Sequence, residues 1–297
     1  MVSSVVVFGA TGHQGSGVVN ALEQLNVKVR GITRDTNSRK SQTLLSKHPT
    51  IEVFSCDFNS IESVTSAISN FEGVFLTMDF WSMGSEEELR VGRLVTDAVA
   101  QASSVKMLIY SSLENVKQTI GKDCPHFDGK AQIVEYIKSQ LHIPCAFVKY
   151  SFYYSNFLTP YGGPKIERVG EEIEEVIFRF PIQTKFALVP VEDAGRIVAR
   201  LFLNPDEYSG KEIGLCGELL NGEEIARIFQ AATGLKSKFE LTSMEHLPDG
   251  SKAMWEFKDK YADTLYLSYL QQSRGHVNDL QTLSDWFKIN LSLILRK

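Results

Sequence analysis

Apolar residues recur along this chain in two alternating rhythms. Short runs that are apolar on both faces stand at Val5 to Phe8, Val27 to Thr33, Ile51 to Ser55, Val74 to Met78, Met107 to Ser111 and Cys145 to Tyr150. Between them apolar positions return with helical period: Val18, Val19, Leu22 and Leu25, then Val91, Val95, Ala98, Val99 and Ala102, then Ile133, Val134, Ile137 and Leu141. Strands buried on both faces and separated by amphipathic helices predict a parallel sheet covered on both sides. The expected fold class is α/β, a doubly wound parallel Rossmann sheet over residues 1–150. Past residue 151 the rhythm breaks into a Gly- and Pro-rich loop at 160–164, an acidic stretch at 170–175 and mixed short elements. That texture predicts a smaller mixed α/β C-terminal subdomain over 151–297, laid over the strand ends, with some segments free to return to the first domain. Two helix starts carry capping-box spacing: Ser85 with Glu88, and Asn221 with Glu224 ahead of Ile225, Ile228, Phe229 and Ala232.

The first strand and first helix are joined by Gly9, Ala10, Thr11, Gly12, His13, Gln14 and Gly15. Glycines let the chain turn tightly and let a pyrophosphate approach the first N–H groups of the helix. The spacing G-x-x-G-x-x-G is one residue longer in its first gap than the usual dinucleotide fingerprint, but strand, glycines and helix arrive in the order a dinucleotide site requires. The second strand then ends in Arg34, whose planar charged fork suits a 2′-phosphate, with Arg39 and Lys40 following. NADP(H) is therefore expected over NAD, although the adjacent Asp35 could serve a ribose hydroxyl. Asp57, closing the third strand, could accept from an adenine amino group or cap the next helix. Met78, Asp79, Phe80 and Trp81 close the fourth strand, where they could flank a cofactor or belong to the core.

Composition narrows the function classes. The chain has 297 residues, 43% of them hydrophobic, and a net charge of −5 with dispersed basic residues. It has little with which to grip phosphate backbones non-specifically, so direct nucleic-acid binding is not expected. Cys56, Cys124, Cys145 and Cys216 stand far apart without a C-x-x-C pair, which predicts reduced thiols. No signal-like leader and no run of about 18 apolar residues is visible, so neither secretion nor membrane insertion is expected. The expected compartment is the cytoplasm, with the nucleus left open; the sequon at Asn290 is read as accidental.

The decisive segment follows the fifth strand: Tyr110-Ser-Ser-Leu-Glu-Asn115, then His126-Phe-Asp-Gly-Lys130. A short-chain dehydrogenase would carry Tyr-x-x-x-Lys here, the Tyr passing a proton to a carbonyl oxygen and the Lys holding the ribose. This chain has His126 in the Tyr position and keeps Lys130. With GATGHQG, Arg34, SLENVK, HFDGK, Tyr153 to Phe157 and Val191 to Gly195, the chain closely resembles the NmrA-like proteins, atypical members of the short-chain dehydrogenase superfamily, and in particular their redox-sensor branch. The resemblance spans nearly the whole chain, more loosely from 235 to 285. It implies NADP(H) binding, no catalytic Tyr, and a role as a sensor of the NADPH/NADP ratio that regulates partner proteins. Carried over by position, it implies cofactor contacts at Gly9 to Gln14, Arg34, Asp57, Phe58, Met78, Asp79, Phe80 and Lys130, and at the loop Tyr153, Tyr154, Ser155 and Asn156. Ser155 stands where the family commonly has Glu, which leaves the nicotinamide side of the site the less secure half.

Two functions from different classes follow. The first is a regulatory binding module, monomer or homodimer, acting on an unidentified protein partner. The second is an NADPH-dependent reductase of quinones or other small carbonyl and enone substrates, with Lys130 as its catalytic residue if it has one, or His126 as proton donor. A metal site at Cys124 and His126 carries little weight, because two ligands do not make the four that zinc takes.

Overall fold

The computed structural model describes residues 1–296. In chain order the first elements are β1 (Ser4–Phe8), α1 (His13–Gln24), β2 (Lys28–Thr33), α2 (Arg39–Lys47), β3 (Glu52–Ser55), α3 (Ile61–Ile68) and β4 (Gly73–Leu76). There follow α4 (Phe80–Met83), α5 (Ser85–Gln101), β5 (Met107–Ser112), α6 (Val116–Ile120), α7 (Pro125–Gln140) and β6 (Cys145–Tyr150). Next come β7 (Phe152–Tyr153), β8 (Lys165–Val169), β9 (Glu172–Phe180), β10 (Phe186–Val189), α8 (Gly195–Leu203), α9 (Pro205–Tyr208), β11 (Glu212–Leu215) and β12 (Glu218–Leu220). The chain closes with α10 (Gly222–Thr233), β13 (Ser237–Leu241), α11 (Asp249–Lys260), α12 (Leu267–His276) and α13 (Leu283–Ile294).

Seven strands form one sheet in the order β11-β6-β5-β4-β1-β2-β3. β1 pairs in parallel with both β2 and β4, so the strand order reverses there, and the carboxyl ends of β1 and β4 form the switch point where open α/β sheets bind ligands. The six expected strands are found with ends shifted by no more than two residues; β11, short and bracketed by glycines, adds a seventh. Val5, Val6 and Val7 are fully buried, as a β-branched run covered on both faces must be. On one face α3, α5 and α7 seal a core that includes Val64, Val91, Val95 and Ile133; on the other α1 packs against α8.

The chain divides into two compact units. The first takes Met1–Gly121, Pro125–Lys149 and Glu192–Ile213, so α8 and α9 return to the Rossmann unit; the second takes Lys122–Cys124, Tyr150–Val191 and the chain from Gly214 onward. The second unit holds two three-stranded sheets, β12-β10-β7 and β13-β9-β8, around an aromatic core. Phe157, Phe178, Phe180, Phe186, Trp286 and Phe287 meet there edge-on or tilted, at centroid distances typical of favourable ring pairs.

Three local expectations are corrected. Leu25 is 43% exposed, because α1 ends at Gln24 and Leu25 follows as its C-cap. Ser85 does not cap α5: Gly84, at φ 77°, takes the N-cap position and Ser85 is already helical, so Glu88 is freed from the capping role. The fourth strand stops at Leu76 and not at Met78, because the Asp79 carboxylate accepts the Trp81 N–H at 3.1 Å and opens α4. The box at Asn221 and Glu224 forms with both hydrogen bonds. All four cysteines are free and buried, and burial pushes the Cys145 thiol up to about 11 and the Cys216 thiol up to about 12. Among the described residues no helix is long and apolar enough to cross a membrane.

Candidate functional site

The turn between β1 and α1 is shaped for close backbone approach. Gly9 has φ 74°, and a Cβ there would stand 2.9 Å from the Thr77 carbonyl oxygen. A Cβ on Gly15 would come within 2.6 Å of the Gly9 carbonyl carbon and 2.8 Å of Ala10 Cα. One position needs glycine for its backbone conformation, the other because α1 runs so close to the turn. Gly12 differs, since a Cβ there would find only the Gly9 carbonyl oxygen, at 3.3 Å, and its flank is open. Ala10 and Gly15 are buried, Thr11 and Gln14 half-buried, Gly12 and His13 exposed. α1 has neither a side-chain cap nor an acidic residue in its first turn, whereas α2 and α3 are capped by Ser38 and Ser60. With neither device present, the positive end of the α1 dipole favours an external anion. The cradle fits a pyrophosphate.

His13 brings a charge to this rim. Its Nδ1 lies 2.6 Å from Glu192 Oε1, just before α8, and hydrogen bonding to that carboxylate holds the imidazole above its ordinary value. A Cβ on Gly17 would stand 2.7 Å from Glu192 Cα, so the close approach of α1 is what brings Glu192 within reach. Because the folded value is raised, the contact is fully made below the ordinary histidine range and lost as pH rises through the raised value. We expect the His13 ring to titrate above the ordinary histidine value by NMR, and Glu192→Gln to return it downward.

After β2 the loop sorts its charges. The Asp35 carboxylate accepts the Asn37 N–H at 2.8 Å, and Thr33 Oγ1 donates to the Asp35 carbonyl. Asp35, the alternative ribose partner, is engaged in holding the turn. Arg34, Arg39 and Lys40 are exposed and form no ion pair among the described residues. Lys40 is near enough to the glycine turn to oppose the protonation of His13. Asp57 is exposed and accepts from both the backbone and the side chain of Asn59, while Ser60 caps α3, so the helix-cap alternative for Asp57 does not hold. Phe58 lies against Phe8 at 6.0 Å, and its carbonyl accepts from Arg90.

The HFDGK segment is used residue by residue. The His126 ring lies among Phe80, Trp81 and Phe127, at centroid distances of 5.7, 5.2 and 5.0 Å, with Trp81 77% exposed. Phe127 is in the core, and the Asp128 carboxylate accepts the Lys117 N–H at the start of α6. A Cβ on Gly129 would lie 3.5 Å from Glu88 Oε2, in ordinary contact, so the α7 backbone runs beside that carboxylate. Lys130 Nζ donates to Glu88 Oε1 at 2.5 Å and to the Met78 carbonyl at 3.3 Å. Met78 and Lys130 are thus joined, and Asp79 and Phe80 stand beside them. In the second unit, Tyr153 is half-buried with its ring 6.1 Å from Tyr150. Tyr154 is fully buried and donates its hydroxyl to Glu218 at 2.6 Å. Ser155 is buried, and the carbonyl of half-buried Asn156 accepts from Thr159.

A profile of the NmrA-like family matches residues 1–279. The chain belongs to the NmrA-like family. The NmrA-like family domain-containing oxidoreductase malD of Malbranchea aurantiaca is 30% identical over 275 residues, covering 86% of this chain and 80% of that protein. NmrA, a negative transcriptional regulator solved in complex with NADP, shares the fold with TM-score 0.80 at 16% identity, over 96% of this chain and 94% of the other. AtPrR2 with NADP+ and (+)pinoresinol shares it with TM-score 0.74 at 16% identity, over 97% and 99% of the two chains.

For this NmrA-like chain the reading of the sequence missed two residues, Glu88 and Glu192. Glu88 lies three, four and seven residues before Val91, Gly92 and Val95 on the buried stripe of α5, and a carboxylate at a core position demands a cationic partner. That signal was present. Glu192 meets His13 across 179 residues of chain, and no local pattern marks such a contact.

Proposed function

We propose that this chain is an NADP(H)-binding regulatory module that reports the redox state of its cofactor to a protein partner, rather than an efficient dehydrogenase. One observation carries the reading: a glycine cradle and a free Arg34 stand ready for a phosphorylated dinucleotide, while the position four residues before Lys130 holds His126 within an aromatic cluster. Arg34 takes the 2′-phosphate, the α1 N-terminus takes the pyrophosphate, and Lys130 stands at the nicotinamide ribose. The bound nicotinamide would supply hydride chemistry; what this chain supplies is binding and orientation. A related protein solved with NADP is a transcriptional regulator, which supports the same use here. The partner is a protein, in keeping with a net charge of −5 that offers nucleic acid little grip, and the proposed setting is the cytoplasm or nucleus.

The second reading, an NADPH-dependent reductase, draws support from relatives named as oxidoreductases. Calorimetry with NADP+, NADPH and NAD+, run beside NADPH absorbance over quinones and enones, separates the two. Binding of both NADP forms is expected, with turnover below about 1 per second. Arg34→Ala should weaken NADP+ by about 10- to 100-fold and leave NAD+ nearly unchanged, the loss of charge-assisted hydrogen bonds to one phosphate. Faster turnover, abolished by Lys130→Ala or His126→Ala, would assign the reductase instead.

A further inference from the structure

Lys130 does not stand as a lone cation. Glu88 is fully buried, its Oε1 pairs with Lys130 Nζ, and its Oε2 is buried with no hydrogen-bond partner among the described residues. Gly129 and the buried Tyr110, whose hydroxyl also lacks a partner, close the surroundings. An acidic group set this deep, with one oxygen spent on a lysine and the other on nothing, is costly as a packing element. Its effect is electrostatic: it cancels the lysine's charge from inside the protein.

Oxidised and reduced nicotinamide differ by one positive charge on the ring. An uncompensated ammonium nearby would oppose the oxidised form and leave the reduced form indifferent, and an uncompensated carboxylate would do the reverse. We propose that the Glu88–Lys130 pair sets the ratio of affinities for NADP+ and NADPH, with Glu88 as a positioning residue that both aims Lys130 and neutralises it. This rests on the cofactor reading above, and it supplies what that reading needs, since a ligand shifts an equilibrium only by its differential affinity.

The charges facing the pair come from four segments. α5 gives Glu88, α7 gives Lys130, with Asp128 and His126 on the same helix, the stretch between β4 and α4 gives Asp79 and the Met78 carbonyl, and β5 gives Tyr110. Paired, Glu88 and Lys130 hold their charges together; parted, each is left without its counter-charge. Lone Lys130 in Glu88→Gln keeps an ammonium without its counter-charge. Lone Glu88 in Lys130→Met is neutral at low pH and anionic as pH rises.

The test measures dissociation constants for NADP+, NADPH and 2′,5′-ADP from about pH 6 to about pH 9 in the unmodified protein, Glu88→Gln, Lys130→Met and the double variant. Glu88→Gln should disfavour NADP+ relative to NADPH by about tenfold. Lys130→Met should favour NADP+ by a similar factor at the alkaline end, relaxing as pH falls. The unmodified protein and the double variant should show the same ratio as each other at every pH, so that any influence of His126, present in all four, drops out of the comparison. Retained 2′,5′-ADP affinity reports an intact fold on the adenosine side. If a single variant fails to fold, the other and the double variant still carry the comparison. Ratios unmoved in every folded variant that binds both forms overturn the proposal, whereas failure of the unmodified protein to bind 2′,5′-ADP or either cofactor form overturns the cofactor reading itself.

Discussion

Gly15→Ala is expected to destabilise the protein by about 3 kcal/mol and to weaken NADP(H) binding by at least about 100-fold. The added methyl carbon would sit 2.6 Å from the Gly9 carbonyl carbon and 2.8 Å from Ala10 Cα. These are backbone atoms of the turn, which cannot swing aside as a side-chain tip could. Either α1 moves back along its axis or the turn opens, and both displace the N–H groups that would meet a pyrophosphate. A displacement of about 1 Å is enough to forfeit hydrogen bonds whose optimum lies within a few tenths of an ångström. Gly170→Ala is the control. Gly170 has φ 62° and nothing within 4 Å of its added Cβ, so the change should cost about 1 kcal/mol from backbone conformation alone and leave cofactor affinity untouched. Denaturant unfolding and calorimetry on both variants check this. Gly15→Ala binding as tightly as the unmodified protein would remove the turn from the site.

The glycine turn was legible because its causes are local: three Val residues feed it, the glycines sit where the backbone reverses, and a helix follows at once. Strand ends could be read only to within two residues, since a side chain such as Asp79 can open a helix before the apolar run is over. Glu88 shows how two causes share one spacing. Three residues separate it from Ser85 whether the pair caps a helix or not, and the positive φ of Gly84, which moves the cap upstream, decides the matter. The second unit was harder to read because its core forms between distant segments. β13 pairs with β9 in register Ser237 to Val176, and ring pairs such as Phe157 with Phe287 join stretches of chain that have no periodicity in common.

The second large effect concerns stability and not binding. Lys130→Met is expected to cost about 3–5 kcal/mol, because it leaves the Glu88 carboxylate buried without its cation. Burial already pushes that carboxyl above its usual range, with the Lys130 ammonium as the main opposing influence. Without the lysine the folded value rises further, and the group takes a proton from solvent to avoid an isolated buried charge. A carboxyl whose folded value lies above its unfolded one loses stability as pH climbs from the ordinary carboxylate range to the raised value, so the penalty should be smallest in acid and grow toward neutrality. Adding Glu88→Leu removes the stranded charge, and the double variant should recover to within about 1.5 kcal/mol of the unmodified protein, less damaged than Lys130→Met alone. Urea unfolding of the four proteins of this cycle, at acid and neutral pH, gives the coupling directly. Additive losses at neutral pH would mean that Glu88 and Lys130 are held by their separate surroundings and not by each other.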